Sequence, residues 1–218
     1  MEFIKQLIDF ILHIDKHLEL ITSQYQGWTY LILFVIIFAE TGFVVTPFLP
    51  GDSLLFAAGA LVASGNSGLD IKLLGIILII AAFTGNTVNY LAGSYLGPKV
   101  FKEKNKILKL EYYLETKAFF DKHGGKAVIL SRFMPIIRTI APFIAGVGRM
   151  PIARYSLYNI IGGASWIVLF LFAGYELGNI PFLKTHISII GIVIILLSVV
   201  PAIVAWVKSR TSKKAAKI

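Results

Sequence analysis

The chain has 218 residues, about the length of one domain, with 56% hydrophobic and only 15% charged residues and a mean hydropathy of +0.77. A soluble body of this size leaves much of its surface in water and could not bury so much apolar side chain; intrinsic disorder is excluded by the same composition. There is no Cys, so disulfides, thiolate chemistry and cysteine metal sites are absent, and the composition is that of an integral membrane protein.

The net charge of +9 comes from two places. Lys99–Lys126 carries eight Lys against four acids, and the tail Lys208–Lys217 carries five cations and no acid. Aromatic–basic interleaving is missing and both stretches flank apolar spans, so the positive-inside rule explains them better than nucleic-acid binding. Both are expected to face the cytoplasm, where anionic headgroups attract them.

In chain order, residues 1–25 read as an amphipathic helix. No cleavable signal peptide is expected, since Glu2, Asp9, Asp15 and Glu19 stand where a basic n-region and a clean apolar run would be, and Ile4, Leu7, Ile8, Ile11, Ile14 and Leu18 form a helical stripe. It would lie along the membrane surface or on the protein's own outer face. Residues 27–69 are apolar but interrupted by Glu40, Pro47, Pro50-Gly51 and Asp52, and Pro and Gly in mid-stretch break a helix. Freed backbone is tolerated at membrane depth only where protein or a water-filled cavity satisfies it, so this segment reads as a re-entrant hairpin. Residues 73–98 hold 26 residues without a charge, enough to span ~30 Å of hydrocarbon. Residues 99–126 form the basic loop, with a second amphipathic helix at about Ile107–Phe120 whose face is Ile107, Leu110, Leu114 and Ala118. Residues 127–153, broken by Arg132, Pro135, Arg138, Pro142, Gly146 and Gly148, read as a second re-entrant hairpin. Spans at 155–175 and 187–207 follow, then the basic tail 208–218, with Trp28 and Trp206 at the ends of apolar runs.

Phe56-x-Ala58-Gly59 recurs as Phe143-x-Ala145-Gly146, and Gly75 as Gly162, both at an offset of 87 residues. The expected fold is therefore an all-α membrane protein of two inverted repeats, each an amphipathic helix, a re-entrant hairpin and a transmembrane helix, followed by one C-terminal transmembrane helix. Inverted-repeat transporters keep their site at the midplane between the repeats.

Glu40, Asp52, Arg132 and Arg138 are the informative residues. A charge at the bilayer centre costs ~2.5–3.5 kcal/mol even on the lenient insertion scale. Their sum is zero, which suits pairing between the hairpins, and Arg forks onto carboxylate or phosphate equally well. A site where a ligand and a carboxylate compete for the same arginines would couple proton uptake to anion binding. The competing reading is a set of ion pairs that only locks the hairpins together, and Asp52 could also cap a helix Ser53–Ala63. Gly85–Gly97 and Gly162–Ser165 are rich in small residues, best explained by close helix packing. Asn86, Asn89 and Asn159 suit hydrogen bonds between helices. His13, His17, His123 and His186 lack metal-ligand spacing, and no clustered His, Ser or metal-ligand set suits phosphoryl chemistry. Neither an enzyme nor a cofactor is expected.

Phe38-Ala39-Glu40, the turn Pro50-Gly51-Asp52, the small-residue span Gly85–Gly97, and Ser131-Arg132-Phe133-Met134-Pro135-Ile136-Ile137-Arg138 followed by Ala145-Gly146 stand in this order along the chain. From about Trp28 to Trp206 the sequence resembles the DedA family of bacterial inner-membrane proteins, related to the VTT-domain proteins of eukaryotes. The resemblance implies a multi-pass inner-membrane protein that moves lipids and supports envelope maintenance, dependent on the proton motive force. Its cargo would be undecaprenyl phosphate or a phospholipid such as phosphatidylethanolamine, with protons or sodium as the coupling ion and a homo-oligomer compatible with the pattern. Two embedded acids and two arginines are the family's functional residues. They match Glu40 and Asp52, expected to carry the coupling proton, and Arg132 and Arg138, expected to hold the headgroup phosphate. Pro50, Gly51, Pro135 and Gly146 shape the hairpin backbone. The alternatives are a proton-coupled antiporter of a small ion or solute, an energy-independent scramblase, and a structural protein.

Overall fold

A computed structural model describes residues 27–43, 51–65, 67–97 and 110–180, together with 18, 20, 22 and 24. Most of the N-terminal helix, the turn at Pro47 and Pro50, the first part of the basic loop, the third span at 187–207 and the tail lie outside the described residues.

The described chain is helical. Helix α1 covers Trp28–Gly42 and α2 covers Gly51–Ala63. At 1.5 Å per residue each is about 20 Å long, short of the ~30 Å hydrocarbon core. Helix α3, Ile71–Leu96, is long enough to cross. Asp70 caps it by accepting the Leu73 N–H at 2.7 Å, while the Asp70 N–H donates to the Tyr30 hydroxyl at 2.8 Å and ties α1 to the start of α3. At its other end Gly97 takes φ +68°, a left-handed value that suits glycine. Helix α4, Leu110–His123, follows, then a 3₁₀ turn Gly124–Lys126, the single turn α5 at Ala127–Leu130, and a second 3₁₀ turn Ser131–Phe133. Met134 is extended and breaks the helical run; Pro135 then starts α6, Pro135–Val147, with its fixed φ at a position that needs no N–H. Helix α7, Ile152–Gly178, is the second helix long enough to cross.

Both long helices overrun the charge-free windows. Lys72 sits in the first turn of α3, Arg154 in that of α7, and Glu176 in the last turn of α7. Charged side chains at helix ends reach the interface, so an apolar window underestimates helix length. On α4, Leu114 and Ala118 face outward, while Thr116 is buried and Tyr113 and Phe120 pack against Ile140, Phe143 and Ile144.

The main core joins α1, α2, α3 and α7 through Leu33, Ile37, Leu54, Leu55, Leu74, Leu78, Trp166 and Leu171. Leu18 of the N-terminal stripe is buried in it, and Leu20 is exposed. Two helix crossings hold the two broken segments in place, and both are built on glycine. Helix α2 lies on α7, where a Cβ at Gly59 would strike the Leu171 carbonyl and one at Gly174 the Phe56 carbonyl. Helix α6 lies on α3, where a Cβ at Gly146 would strike the Tyr90 carbonyl and one at Gly93 the Phe143 carbonyl. The backbones touch at both places, as small residues at helix crossings permit. Outward from the core, Leu31, Val35, Ile76, Ile80, Leu91, Leu157, Val168, Leu169 and Phe172 are exposed, an apolar surface that matches lipid rather than water.

Candidate functional site

Glu40 lies in the last turn of α1 and is 2% exposed. Asp52 lies in the first turn of α2, which begins at Gly51, one residue before the capping position expected from sequence. Arg132 is held in the 3₁₀ turn ahead of α6, and Arg138 stands in the first half of α6. Pro142 has no N–H to give the Arg138 carbonyl, so the helix is loosened directly below that residue.

The Arg138 guanidinium joins both acids. Nη2 donates to Glu40 Oε1 at 2.5 Å and Nη1 to Asp52 Oδ1 at 2.6 Å, with the Arg138 side chain 11% exposed. The Trp166 indole N–H donates to the same Asp52 Oδ1 at 2.8 Å, and its ring lies 5.4 Å from the guanidinium. One α7 side chain thus fixes the carboxylate by a hydrogen bond and the cation by its π-face. Glu40 lies directly over Gly51, where any Cβ would overlap the carboxylate. Glycine is needed there for space, and the carboxylate gains from the positive end of α2.

Arg132 is 3% exposed and meets no carboxylate within ion-pair distance among the described residues. Its Nη2 donates to Asn159 Oδ1 at 2.7 Å. That amide is fixed in turn: Asn86 Nδ2 donates to the same oxygen at 3.2 Å, and Asn159 Nδ2 donates to the Phe83 carbonyl at 3.1 Å. The Tyr155 hydroxyl donates to the Asn86 carbonyl at 2.8 Å. Asn89 donates to the Thr139 carbonyl at 2.8 Å and the Thr41 carbonyl at 3.3 Å, stitching α3 to α6 and α1. Between the two arginines lies a cavity of ≈ 10 Å³ bounded by Glu40, Thr41, Asn86, Thr139 and Trp166. That is room for a single water-sized group.

Three of the four charged residues singled out from sequence, Glu40, Arg132 and Arg138, therefore border one cavity, and Asp52 joins them through Arg138; they do not pair two by two, because Arg138 takes both acids and Arg132 takes a neutral amide. Gly51 and Gly146 stand at close approaches and Pro135 opens α6. Pro50 lies outside the described residues. Asn86, Asn89 and Asn159 do bond between helices, as expected, but Asn159 also holds Arg132, a role not read from sequence. Trp166 was not singled out at all. The available signal was its place in mid-span, away from the ends where interfacial Trp sits, and seven residues after Asn159, on the same helical face.

The VTT domain model matches residues 49–176. The chain is 46% identical over 219 residues to the protein DedA of Escherichia coli K12, covering all of both chains. It is 40% identical over 185 residues to an uncharacterized membrane protein of Mycobacterium leprae, covering 84% of this chain and 82% of the other. It is 38% identical over 160 residues to the inner membrane protein YqjA of Escherichia coli K12, covering 72% of each. No solved structure matches it significantly. With a buried charge cluster at the meeting point of broken helices and these relatives along its length, the chain belongs to the DedA family of VTT-domain membrane proteins.

Proposed function

We propose that the protein is a transporter driven by the proton motive force, which moves a lipid phosphate, undecaprenyl phosphate or a phospholipid, across the bacterial inner membrane. The observation that carries this reading is the buried Arg138 guanidinium shared by Glu40 and Asp52. Beside it Arg132, held by the neutral Asn159 amide, carries a guanidinium fork of the kind that fits two phosphate oxygens. A proton arriving on Glu40 or Asp52 removes one of the charges that hold Arg138 closed. Release of the headgroup restores the full ion pairing of both carboxylates with Arg138 and expels the proton. The lipid tail would stay in hydrocarbon throughout, so only the headgroup needs a polar path. Such a cycle forms and breaks no covalent bond, consistent with a carrier and not an enzyme.

The two glycine crossings support the inverted-repeat reading. Phe56 and Gly59 meet α7 as Phe143 and Gly146 meet α3, residue for residue at the 87-residue offset. Short helix pairs beside long ones support two re-entrant hairpins, and the cationic composition of the basic loop and the tail supports a cytoplasmic side for both. The cavity of ≈ 10 Å³ is too small for a phosphate group, so headgroup entry requires the broken segments to part. The same small volume favours a second reading, proton-coupled antiport of a small ion.

The test is translocation of undecaprenyl phosphate in proteoliposomes, with and without a pH gradient, against Glu40→Gln and Arg138→Ala. Gradient-dependent movement lost in both variants is the expected result. Equal movement without a gradient identifies a scramblase. Movement by both variants at wild-type rates overturns the site assignment. If undecaprenyl phosphate and phosphatidylethanolamine both stay in place, the small-ion reading takes over.

A further inference from the structure

The two arginines stand in different electrostatic states, and we infer that they do different work: Arg132 receives the incoming anion, while Arg138 is the ion-pair latch that positions the acids. This rests on the reading above and divides a role that the sequence assigned to both arginines.

Arg138 is engaged on both terminal nitrogens by carboxylates and on one face by Trp166. An anion that sought Arg138 first would have to displace Glu40 or Asp52 from it and so break a buried ion pair, which is costly in a low-dielectric site. Arg132 presents the opposite case. Among the described residues the side-chain acceptor on its guanidinium is the Asn159 amide, which carries no charge. Asn159 is also held by Asn86 and by the Phe83 carbonyl, so it keeps its place when Arg132 turns away. Once the broken segments part, an anion oxygen meets Arg132 with no carboxylate to displace from it, and an arginine fork has donors left for it. The approach of a second negative charge toward Glu40 and Asp52 is unfavourable until one of them is neutralised. Arg132 therefore binds, and the Arg138 cluster decides when binding persists.

The experiment is calorimetric titration of the full-length protein in maltoside micelles with farnesyl phosphate, with farnesol and inorganic phosphate as the other two probes. Arg132→Gln is compared with the charge-balanced double variant Arg138→Gln/Asp52→Asn, which removes one cation and one acid together. The expected result is a rise in Kd of about tenfold or more for Arg132→Gln, the scale of one charge-assisted contact, and a distinctly smaller rise for the double variant, which loses the latch but keeps Arg132. Should Arg132→Gln fail to fold, Arg132→Lys keeps the charge but loses the fork, and a weakened Kd there supports the same assignment. Equal losses in the single and double variants, or an unchanged Kd in Arg132→Gln or Arg132→Lys, overturn the division of roles. Wild-type protein that binds no phosphate probe overturns the transport reading itself, and the assignment with it. Inorganic phosphate bound as tightly as farnesyl phosphate keeps Arg132 as the receptor but makes free phosphate the ligand; farnesol bound as tightly as its phosphate overturns Arg132 as the receptor.

Discussion

Helices α2 and α6 make the same crossing with glycine against backbone, α2 on α7 and α6 on α3. They differ in what they bring to the centre. At the 87-residue offset, Gly51 of α2 corresponds to Arg138 of α6. One position is emptied of its side chain so that the Glu40 carboxylate can lie on it, and the other carries the guanidinium that reaches that carboxylate. The backbone is matched and the chemistry is complementary. Symmetry supplies the scaffold, and departure from symmetry supplies the site.

The largest effect is expected from the asymmetric position. Arg138→Ala leaves two buried carboxylates without their cation and should cost about 3–5 kcal/mol, the range for breaking a buried ion pair. Asp52→Ala should cost clearly less, because Arg138 keeps Glu40. Thermal unfolding in detergent measures both, and equal losses would mean that Arg138 is not the hub. The symmetric positions come next. Gly59→Ala and Gly146→Ala each drive a methyl into backbone and should cost about 3 kcal/mol, the upper part of the overpacking range. The likeness of the crossings requires the two values to agree; a large gap would show that one crossing alone carries the packing. Trp166→Phe keeps an aromatic ring by Arg138 but removes the hydrogen bond to Asp52. About 1.5–3 kcal/mol is expected for a bond to a charged acceptor, with transport slowed more than stability is lowered. Asp70→Ala removes the α3 cap, far from the cluster, for about 1 kcal/mol. Its transport rate should match wild type, and a transport defect there would tie the Tyr30–Asp70 contact to the cycle.

Of the three expected spans, the two that lie in the described residues were legible in the sequence, as were the breaks, because both are written in composition: apolar runs with no charge, and Pro or Gly within the others. The sequence also carried the four charges, since each is costly in hydrocarbon. Partner choice was not legible. That Arg138 holds both acids, and that Arg132 rests on Asn159, depends on how α6 and α7 meet in space. Asn159 and Trp166 lie 21 and 28 residues beyond Arg138, with nothing local to join them. The recurring Phe-x-Ala-Gly motif revealed matched segments, yet not that each would seat on the long helix of the other half. The face of α4 was hidden for another reason. Its residues are apolar on more than one side, so Thr116, a polar residue, could take the buried position while Leu114 turned outward.

The seating of α2 on α7 has a consequence for how the chain is made. Helix α2 ends at Ala63, and the glycine that receives it is Gly174, more than a hundred residues later. At ribosomal speeds of about 5–20 residues per second, α2 leaves the ribosome roughly 6–22 s before its partner exists. During that interval its first-turn Asp52 has neither Arg138 nor Trp166. A short helix that carries an acid and lacks these two partners is a poor candidate to enter hydrocarbon alone. Assembly of the first half is therefore expected to wait for the second, and the newborn chain to depend on the insertion machinery or on a chaperone until α7 arrives.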